Sequence, residues 1–358
     1  MPDTTARPAF ELGIDSFVET SFDPAKRAKI NPAGRVRDLL EEIELADRVG
    51  LDVFGIGEHH RKEYLSSAPA VLLAAAAART KRIRLASAVT VLSSDDPVRV
   101  FQDFATVDLI SNGRAEIILG RGSFIESYPL FGYDLDHYDE LFSEKLELLL
   151  KIRAGIEVHW SGKHRAPLTG QGVYPRPVQN PLPVRIGVGG TPQSVIRAGT
   201  LGLPLVLAII GGEPHRFRPL LELYREAGKR AGHAPEKLEV GIHLIGFIGD
   251  GTEQAANDFF PSYAAAFSQI GRERGWGPTT RPQFDALRGP TGALLVGDPE
   301  LVAGKILRAH EALGGFSRLT ILLNSGEIPH ATMLRAIELL GTEVAPRVRA
   351  GLEQKSRT

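Results

Sequence analysis

The stretch best suited to bind a ligand runs from Arg185 to Ser194 and reads RIGVGGTPQS. Alternating apolar residues end a strand, Gly189 and Gly190 allow a sharp turn, and Thr191, followed by a proline, caps a helix. Backbone N–H groups at a helix N-terminus, together with the hydroxyl of Ser194, suit a phosphate. A plain strand-to-helix turn would need only glycine and a cap, so these residues alone leave both interpretations open.

Two further motifs follow predicted strands. Gly120-Arg121-Gly122-Ser123 places a guanidinium between glycines, where it could contact a phosphate through two hydrogen bonds. Glu58-His59-His60 offers a histidine as acid, base or metal ligand. Because adjacent side chains at a strand end point to opposite sides, we expect at most one of the two histidines to face a common ligand. No further ligand stands at zinc spacing, so we predict no metal site.

The elements that must position these motifs alternate along the chain. Eight apolar strands, the first at Phe10 to Phe17 and the last at Leu319 to Leu323, are each followed by a helix. This alternation predicts a closed (β/α)8 TIM barrel rather than an open sheet, with seven strands as the alternative count. Ligands of such barrels meet the loops after the strands. These loops, predicted to share one rim, are Glu58-His59-His60, Ala88 to Ser94, Gly120 to Ser123 and Gly189 to Ser194.

Two segments interrupt the alternation. The stretch from Gly155 to Pro183, rich in glycine and proline, precedes the fifth strand and is interpreted as an excursion with a hairpin. Asp250 to Pro290 follows the seventh strand, with a helical piece and then the loop-like run RERGWGPTTRPQFDALRGP. A connection this long is usually functional, and we expect a lid. Residues 1–358 are therefore predicted to form a single domain.

Composition narrows the function classes. The 358 residues are 43% apolar and 24% charged, with a net charge of −1 and no cysteine. The lack of cysteine excludes disulfides, thiolate catalysis and cysteine metal ligands, so redox chemistry would need a bound cofactor. The charge gives no basic footprint for nucleic acid or a membrane surface, and no apolar run nears the roughly 18 residues of a membrane span. A cytoplasmic protein is expected.

Longer stretches resemble one family. EHHRKEY, the block ASAVTVLSSDDPVRVFQDFATVDLISNGRAEIILGRGSF followed by YPLFGYD, and IGVGGTPQSVIRAGTLGLPLVL are similar, in that order, to the bacterial luciferase-like flavin-dependent monooxygenases. The similarity runs from about Phe10 to Ile210 and resumes at VGDPELVAGKI. It implies a barrel that binds reduced flavin mononucleotide (FMN), which reacts with oxygen to form a flavin peroxide that oxidises a small apolar substrate.

The resemblance also implies roles for individual residues. The family's catalytic histidine falls on His59, and Glu58 supports that turn. The phosphate-binding arginine falls on Arg121, and the phosphate loop on Gly190, Thr191 and Ser194, next to Gly189.

A non-proline cis peptide of the family falls on Ala88-Val89, where it would shape the bulge behind the flavin ring. Luciferases proper carry a glutamate at the position of Gly190 and a cysteine at that of Gly120. These departures argue against light emission but not against flavin binding.

The resemblance further implies a homodimer and a mobile lid at Asp250 to Pro290. The sequence has no nicotinamide-binding GxGxxG motif in a strand-to-helix setting, so a separate flavin reductase is expected to supply reduced FMN.

Three alternatives stay open. A 5-deazaflavin-dependent hydride-transfer enzyme would share the phosphate site but would favour extra basic residues for the acidic cofactor tail. A flavin-binding protein without catalysis is the second alternative. The third, an isomerase or aldolase acting on a sugar phosphate, is disfavoured because the predicted rim strands lack lysine.

Overall fold

Eight parallel strands close into a barrel in the computed structural model, which describes residues 10–20, 22–23, 28–29, 31–122, 124–323, 326 and 328–356. Each strand pairs with its neighbours in chain order, and the last pairs with the first. The predicted TIM barrel with eight strands is confirmed. The strands are β1 Glu11–Ser16, β2 Val53–Ile56, β3 Arg84–Ser87, β4 Ala115–Gly120, β5 Val184–Val188, β6 Leu205–Ala208, β7 Val240–Ile248 and β8 Arg318–Leu322.

Helices surround the barrel, and several begin with a capping residue followed by proline. The side chain of Asp96 accepts hydrogen bonds from the backbone N–H groups of Val98 and Arg99, which would otherwise lack a partner at the helix start. Within the described ranges, no helix is long and apolar enough to cross a membrane. The main helices are α1 Pro32–Arg48, α2 Pro69–Arg79, α3 Pro97–Ser111, α4 Tyr138–Ala154, α5 Pro192–Thr200, α6 Arg218–Arg230, α7 Thr252–Arg274, α8 Arg281–Arg288, α9 Pro299–Ala312, α10 His330–Leu339 and α11 Ala345–Ser356.

Charged side chains fill the N-terminal end of the barrel interior. Arg318 of β8 lies 2.7 Å from Glu11 of β1 and also pairs with Glu116 of β4, on the opposite side of the barrel. Arg185 of β5 lies 3.2 Å from the same Glu116 carboxylate. All four residues are buried, and buried charges are tolerated only with such partners. The ion pairs therefore occupy the end of the barrel farthest from the predicted rim.

A small apolar layer separates these charges from the rim. It consists of Val53, Ala86, Ile118 and Val206, with Val89 packed against them. The Ala88-Val89 peptide after β3 is cis, as the family resemblance implies. The Val89 side chain occupies space that a Cβ atom would need at Gly120 of β4 and at Gly187 of β5, where it would lie 2.5 and 2.7 Å away. Packing against Val89 therefore requires glycine at both positions.

The predictions for the two segments that interrupt the alternation of strands and helices differ in outcome. The excursion before β5 contains the predicted hairpin, formed by antiparallel strands Glu157–Trp160 and Leu168–Gly172. The expectation of a loop-like run before Pro290 is wrong, because α7 continues to Arg274 and α8 follows. The sequence contains the start signal for α8: the side chain of Gln283 accepts the backbone N–H of Thr280 at 2.9 Å.

The aromatic packing of α8 explains why this segment is ordered as a helix. Phe284 is fully buried, and its ring lies 5.3 Å from that of Tyr263 and 6.3 Å from that of Phe259, both on α7. The insertion is thus a packed pair of helices.

Candidate functional site

His59 lies in an aromatic cage at the end of β2. The centroid of its ring lies 4.5 Å from that of Phe17, 4.4 Å from that of Tyr64 and 5.4 Å from that of Phe124. Nε2 is buried and, among the described residues, has no hydrogen-bond partner. Since a buried polar atom normally has a partner, this nitrogen is available to a ligand.

His60 points into a different environment, as strand geometry predicts. Its Nε2 lies 2.8 Å from one carboxylate oxygen of Glu58, and its ring packs on Phe131. The other oxygen of Glu58 accepts the backbone N–H of Val91 at 2.9 Å. Glu58 therefore links the turn that contains His59 to the segment that contains the Ala88-Val89 peptide.

We expect His59 to be neutral at physiological pH. Burial, reinforced by the neighbouring His60 and Arg61, lowers the pKa of His59 to about 3. An unfolded histidine titrates near 6.5, so the stability contributed by neutral His59 is present above about pH 6.5 and is lost as the pH falls towards 3. In an NMR titration from pH 8 to 5, the imidazole C–H signals of His59 should not move. His59→Gln identifies these signals, and a midpoint near 6.5 would contradict the prediction.

The predicted phosphate residues meet at the start of α5. Arg121, after β4, donates through Nη2 to the hydroxyl of Ser194 at 3.2 Å. Its Nη1 lies 2.5 Å from the carboxylate of Asp139, and its guanidinium lies 4.6 Å from the ring centroid of Tyr138. Two motifs that lie 73 residues apart in sequence therefore form one cationic, hydroxyl-bearing corner.

The loop before α5 leaves its backbone open. Gly190 has a φ of +111°, which favours glycine, and a Cβ atom at Gly189 would meet no atom of the described residues within 4 Å. Thr191 stands at the capping position, but its side chain makes no capping hydrogen bond, contrary to the expectation. Its exposed hydroxyl can therefore contact a ligand. Ser123, named with Arg121 in the sequence motif, lies outside the described residues.

Sequence reasoning missed Arg197 on the first turns of α5. Its Nη1 is buried and has no hydrogen-bond partner among the described residues, while its guanidinium lies 5.3 Å from the ring centroid of Phe142. Burial, together with the charge of Arg121, lowers the pKa of Arg197. The signal that could have found it is its spacing of three residues from Ser194, which places both on one helical face.

A polar pair inside the barrel was also missed. Asp15 of β1 and His243 of β7 are buried, and their side chains lie 2.6 Å apart. The ring of Phe17 is stacked with that of His243 at 6.3 Å and makes an edge contact with that of His59 at 4.5 Å. The pair therefore adjoins the aromatic cage from within the barrel.

Possible metal ligands group elsewhere. Over the described ranges, one set of three such side chains comes together, at His137, Glu140 and His164 on the surface. Glu140 also lies 3.5 Å from the ammonium group of Lys163. The Glu58-His59-His60 turn is not part of this set.

Comparison with known proteins gives matches along most of the chain. The family model for luciferase-like monooxygenases matches residues 17–315. Limonene 1,2-monooxygenase of Rhodococcus erythropolis is 25% identical over 359 residues, which cover 96% of this chain and 90% of that protein. The F420-dependent glucose-6-phosphate dehydrogenase of Amycolatopsis mediterranei is 32% identical over 43% of this chain and 48% of that protein. The match to uncharacterized protein y4wF of Sinorhizobium fredii, 32% identical, covers 48% of this chain and half of that protein.

Solved structures share the fold. Monooxygenase RslO1 from Streptomyces bottropensis has a TM-score of 0.79 and 24% identity, covering 94% of this chain and 99% of that one. The oxygenating constituent of 3,6-diketocamphane monooxygenase from Pseudomonas putida, solved with FMN, has a TM-score of 0.77 and 21% identity over 95% and 99% of the two chains. An F420-dependent secondary alcohol dehydrogenase has a TM-score of 0.74 and 18% identity over the same shares. The family model spans far more than half of the sequence, and the chain belongs to the luciferase-like monooxygenase family.

Proposed function

We propose that this oxidoreductase is an FMN-dependent monooxygenase that uses reduced FMN and O2 to oxidise a small, largely apolar substrate. The observation that carries the proposal is the corner formed by Arg121, Ser194 and the open backbone at Gly189 and Gly190. It shares one barrel rim with the aromatic cage around His59. An anion site and a cluster of aromatic side chains on the same rim suit a phosphate-bearing aromatic cofactor.

The residues present fit such a cofactor. The backbone N–H groups at the start of α5, with Arg121 and the hydroxyls of Thr191 and Ser194, would hold its phosphate. Nη1 of Arg197, which has no partner within the described part of the chain, is a further donor. When bound, the reduced flavin would supply the electrons that activate oxygen. Neutral His59 would hydrogen-bond through Nε2 at the apolar end of the site, and the aromatic rings around it would exclude water.

A 5-deazaflavin-dependent hydride transfer is the second candidate, since a relative named for F420 matches part of the chain and a solved structure named for F420 shares the fold. A monooxygenase is favoured because the relative named limonene 1,2-monooxygenase matches over 96% of the chain, whereas the relative named an F420-dependent dehydrogenase matches over 43%.

An anaerobic titration decides between the two cofactors. Reduced FMN should bind, and mixing with air should give an oxygen-dependent absorbance change that differs in His59→Ala. Binding of F420 without binding of FMN would replace the proposal with hydride transfer. Binding of FMN with the same oxygen reaction in wild type and His59→Ala would favour a flavin-binding protein without catalysis.

We also propose that the helix pair α7 and α8 acts as a lid, held at the rim by Arg61. The Arg61 guanidinium donates to the carboxylate of Glu273 at the end of α7, at 2.8 Å through Nη1, and lies 4.5 Å from the ring centroid of Phe124. Gln269, also on α7, donates to Glu63 at 2.7 Å. These contacts join the end of α7 to the residues that follow His59.

Glu273→Gln should loosen this end of α7. Exposed ion pairs contribute little to global stability, so we expect exchange of the backbone amides of residues 268–274 to accelerate several-fold while the fold persists. Hydrogen exchange measured by mass spectrometry checks this. Glu253→Gln is the matched control, because Glu253 pairs with Arg288 at the other end of α7. Equal exchange of residues 268–274 in both variants would refute the lid contact.

The remaining partners are also proposals. Val71 on α2 and Leu109 and Ile110 on α3 are exposed apolar residues on helices that pack together, which supports a homodimer. Sedimentation of wild type and Val71→Glu tests whether the protein is a homodimer.

We further propose a cytoplasmic protein served by a separate flavin reductase. Rapid oxidation of NADH or NADPH by the pure protein with FMN would refute the need for that reductase.

A further inference from the structure

Asp15, His243 and Thr320 form a buried hydrogen-bonded group that the proposed cofactor contacts leave unused. Nδ1 of His243 lies 2.6 Å from Oδ2 of Asp15, and the hydroxyl of Thr320 donates to the same oxygen at 2.5 Å. Asp15 is 2% exposed and His243 is 6% exposed. The three side chains come from β1, β7 and β8, which are neighbours in the barrel wall.

The carboxylate fixes the position of the proton on the histidine ring. A carboxylate only accepts hydrogen bonds, so Nδ1 of the neutral imidazole carries the hydrogen and Nε2 holds a lone pair. Both hydrogen bonds of the ring within the described residues involve Nδ1. Nε2 therefore has no hydrogen-bond partner among the described residues.

The surroundings hold Asp15 in this arrangement. A Cβ atom at Gly55 of β2 would lie 2.0 Å from Oδ1 of Asp15, so the absence of a side chain at this position makes room for the carboxylate. The ring of Phe17 lies 6.3 Å from that of His243, measured between centroids, and is nearly parallel to it, with an interplanar angle of 13°. The same ring contacts His59. The group is thus adjacent to the aromatic cage.

We infer that His243 is a second proton-accepting residue of this site, oriented by Asp15, and that the substrate is an apolar molecule with one acidic hydroxyl, of the phenol class. In this step the O–H bond of the substrate breaks, its proton joins the lone pair of Nε2, and its electron pair stays on oxygen. The products are a phenolate and an imidazolium beside the Asp15 carboxylate, with no change of oxidation state. The inference rests on the proposed function only for the location of the substrate.

A chromophoric phenol tests this without an oxygenase assay. The probe is 4-nitrophenol, added to the cofactor-free protein at a pH where the free probe is mainly protonated. Wild type should bind it with the absorbance band of the phenolate. His243→Gln should lose that band, and Asp15→Asn should weaken it at least tenfold, because the ring is then free to place its hydrogen on Nε2. The surface variant Glu226→Gln, which removes a carboxylate from an exposed pair with Arg230, is the control and should behave as wild type.

Two results would overturn the inference. One is a wild-type titration without a phenolate band, and the other is an unchanged band in folded His243→Gln, with folding checked by circular dichroism. Nitrogen-15 NMR of labelled histidine provides a test on wild type alone: the hydrogen of His243 should reside on Nδ1, and a hydrogen on Nε2 would also overturn it. Failure of FMN to bind would remove the proposed function while leaving these observations intact.

Discussion

Arg121→Met is expected to weaken the binding of reduced FMN by roughly 10- to 150-fold. Hydrogen bonds to charged groups contribute about 1.5–3 kcal/mol, and each 1.4 kcal/mol changes a dissociation constant tenfold. Methionine preserves much of the length of the side chain and its packing on Tyr138, but not the donors that reach Ser194 and the proposed phosphate. Anaerobic titration followed by absorbance measures the effect.

Riboflavin, which lacks the phosphate, separates the role of Arg121 from a general loss of the pocket. Its affinity should be the same in wild type and Arg121→Met, and a parallel loss for both flavins would contradict a phosphate contact.

Asp139→Asn should act in the opposite direction and tighten FMN binding a few-fold, because the Asp139 carboxylate now occupies one edge of the guanidinium. Asp136→Asn removes the same charge from the exposed turn before α4, where the side chain makes no contact with Arg121, and should have little effect.

Some of this site was predictable from sequence because local rules define it. Glycine at a positive φ, a capping position followed by proline, and an arginine between glycines are each visible within a few residues. Their proximity then follows from the barrel, since the ends of parallel strands meet at one rim. This rule predicts that Arg121 and Ser194, 73 residues apart, lie close together, and their side chains are in contact.

The pair formed by Asp15 and His243 was not predictable in the same way. The two residues are 228 positions apart and stand within strands, where no local signal distinguishes a polar side chain inside the barrel from one packed under a helix. Only the register of β1 with its neighbours brings them to one level. The contact between Arg61 and Glu273, 212 positions apart, depends likewise on how α7 packs across the rim.

The buried ion pairs at the N-terminal end of the barrel were likewise not predictable from the sequence. They give the prediction with the largest effect on stability. Glu116→Gln should lower the free energy of unfolding by about 3–5 kcal/mol, the usual cost of removing one partner from a buried ion pair. The Glu116 carboxylate pairs with Arg318 and lies 3.2 Å from Arg185 and 4.0 Å from Arg84. Glutamine has nearly the same shape, so the change isolates the charge. Urea unfolding followed by circular dichroism measures it.

A surface pair provides the control for this loss. Glu226 and Arg230 lie one turn apart on α6, 2.8 Å from each other and exposed, and Glu226→Gln should cost about 0.3–0.5 kcal/mol. A similarly small loss for Glu116→Gln would mean that the interior arginines do not depend on this carboxylate.

The pH dependence of the difference identifies its origin. Burial alone would raise the pKa of Glu116, but the guanidinium groups of Arg318, Arg185 and Arg84 outweigh it and hold that pKa far below its usual range. A lowered pKa in the folded state stabilises the protein above the unfolded pKa of about 4.3, and this stabilisation is lost as the pH falls below it. The gap between wild type and Glu116→Gln should therefore be constant from pH 8 to 6 and should shrink as the pH falls below about 5. A cavity or packing defect would give a gap that does not change with pH, because no proton is exchanged in that case.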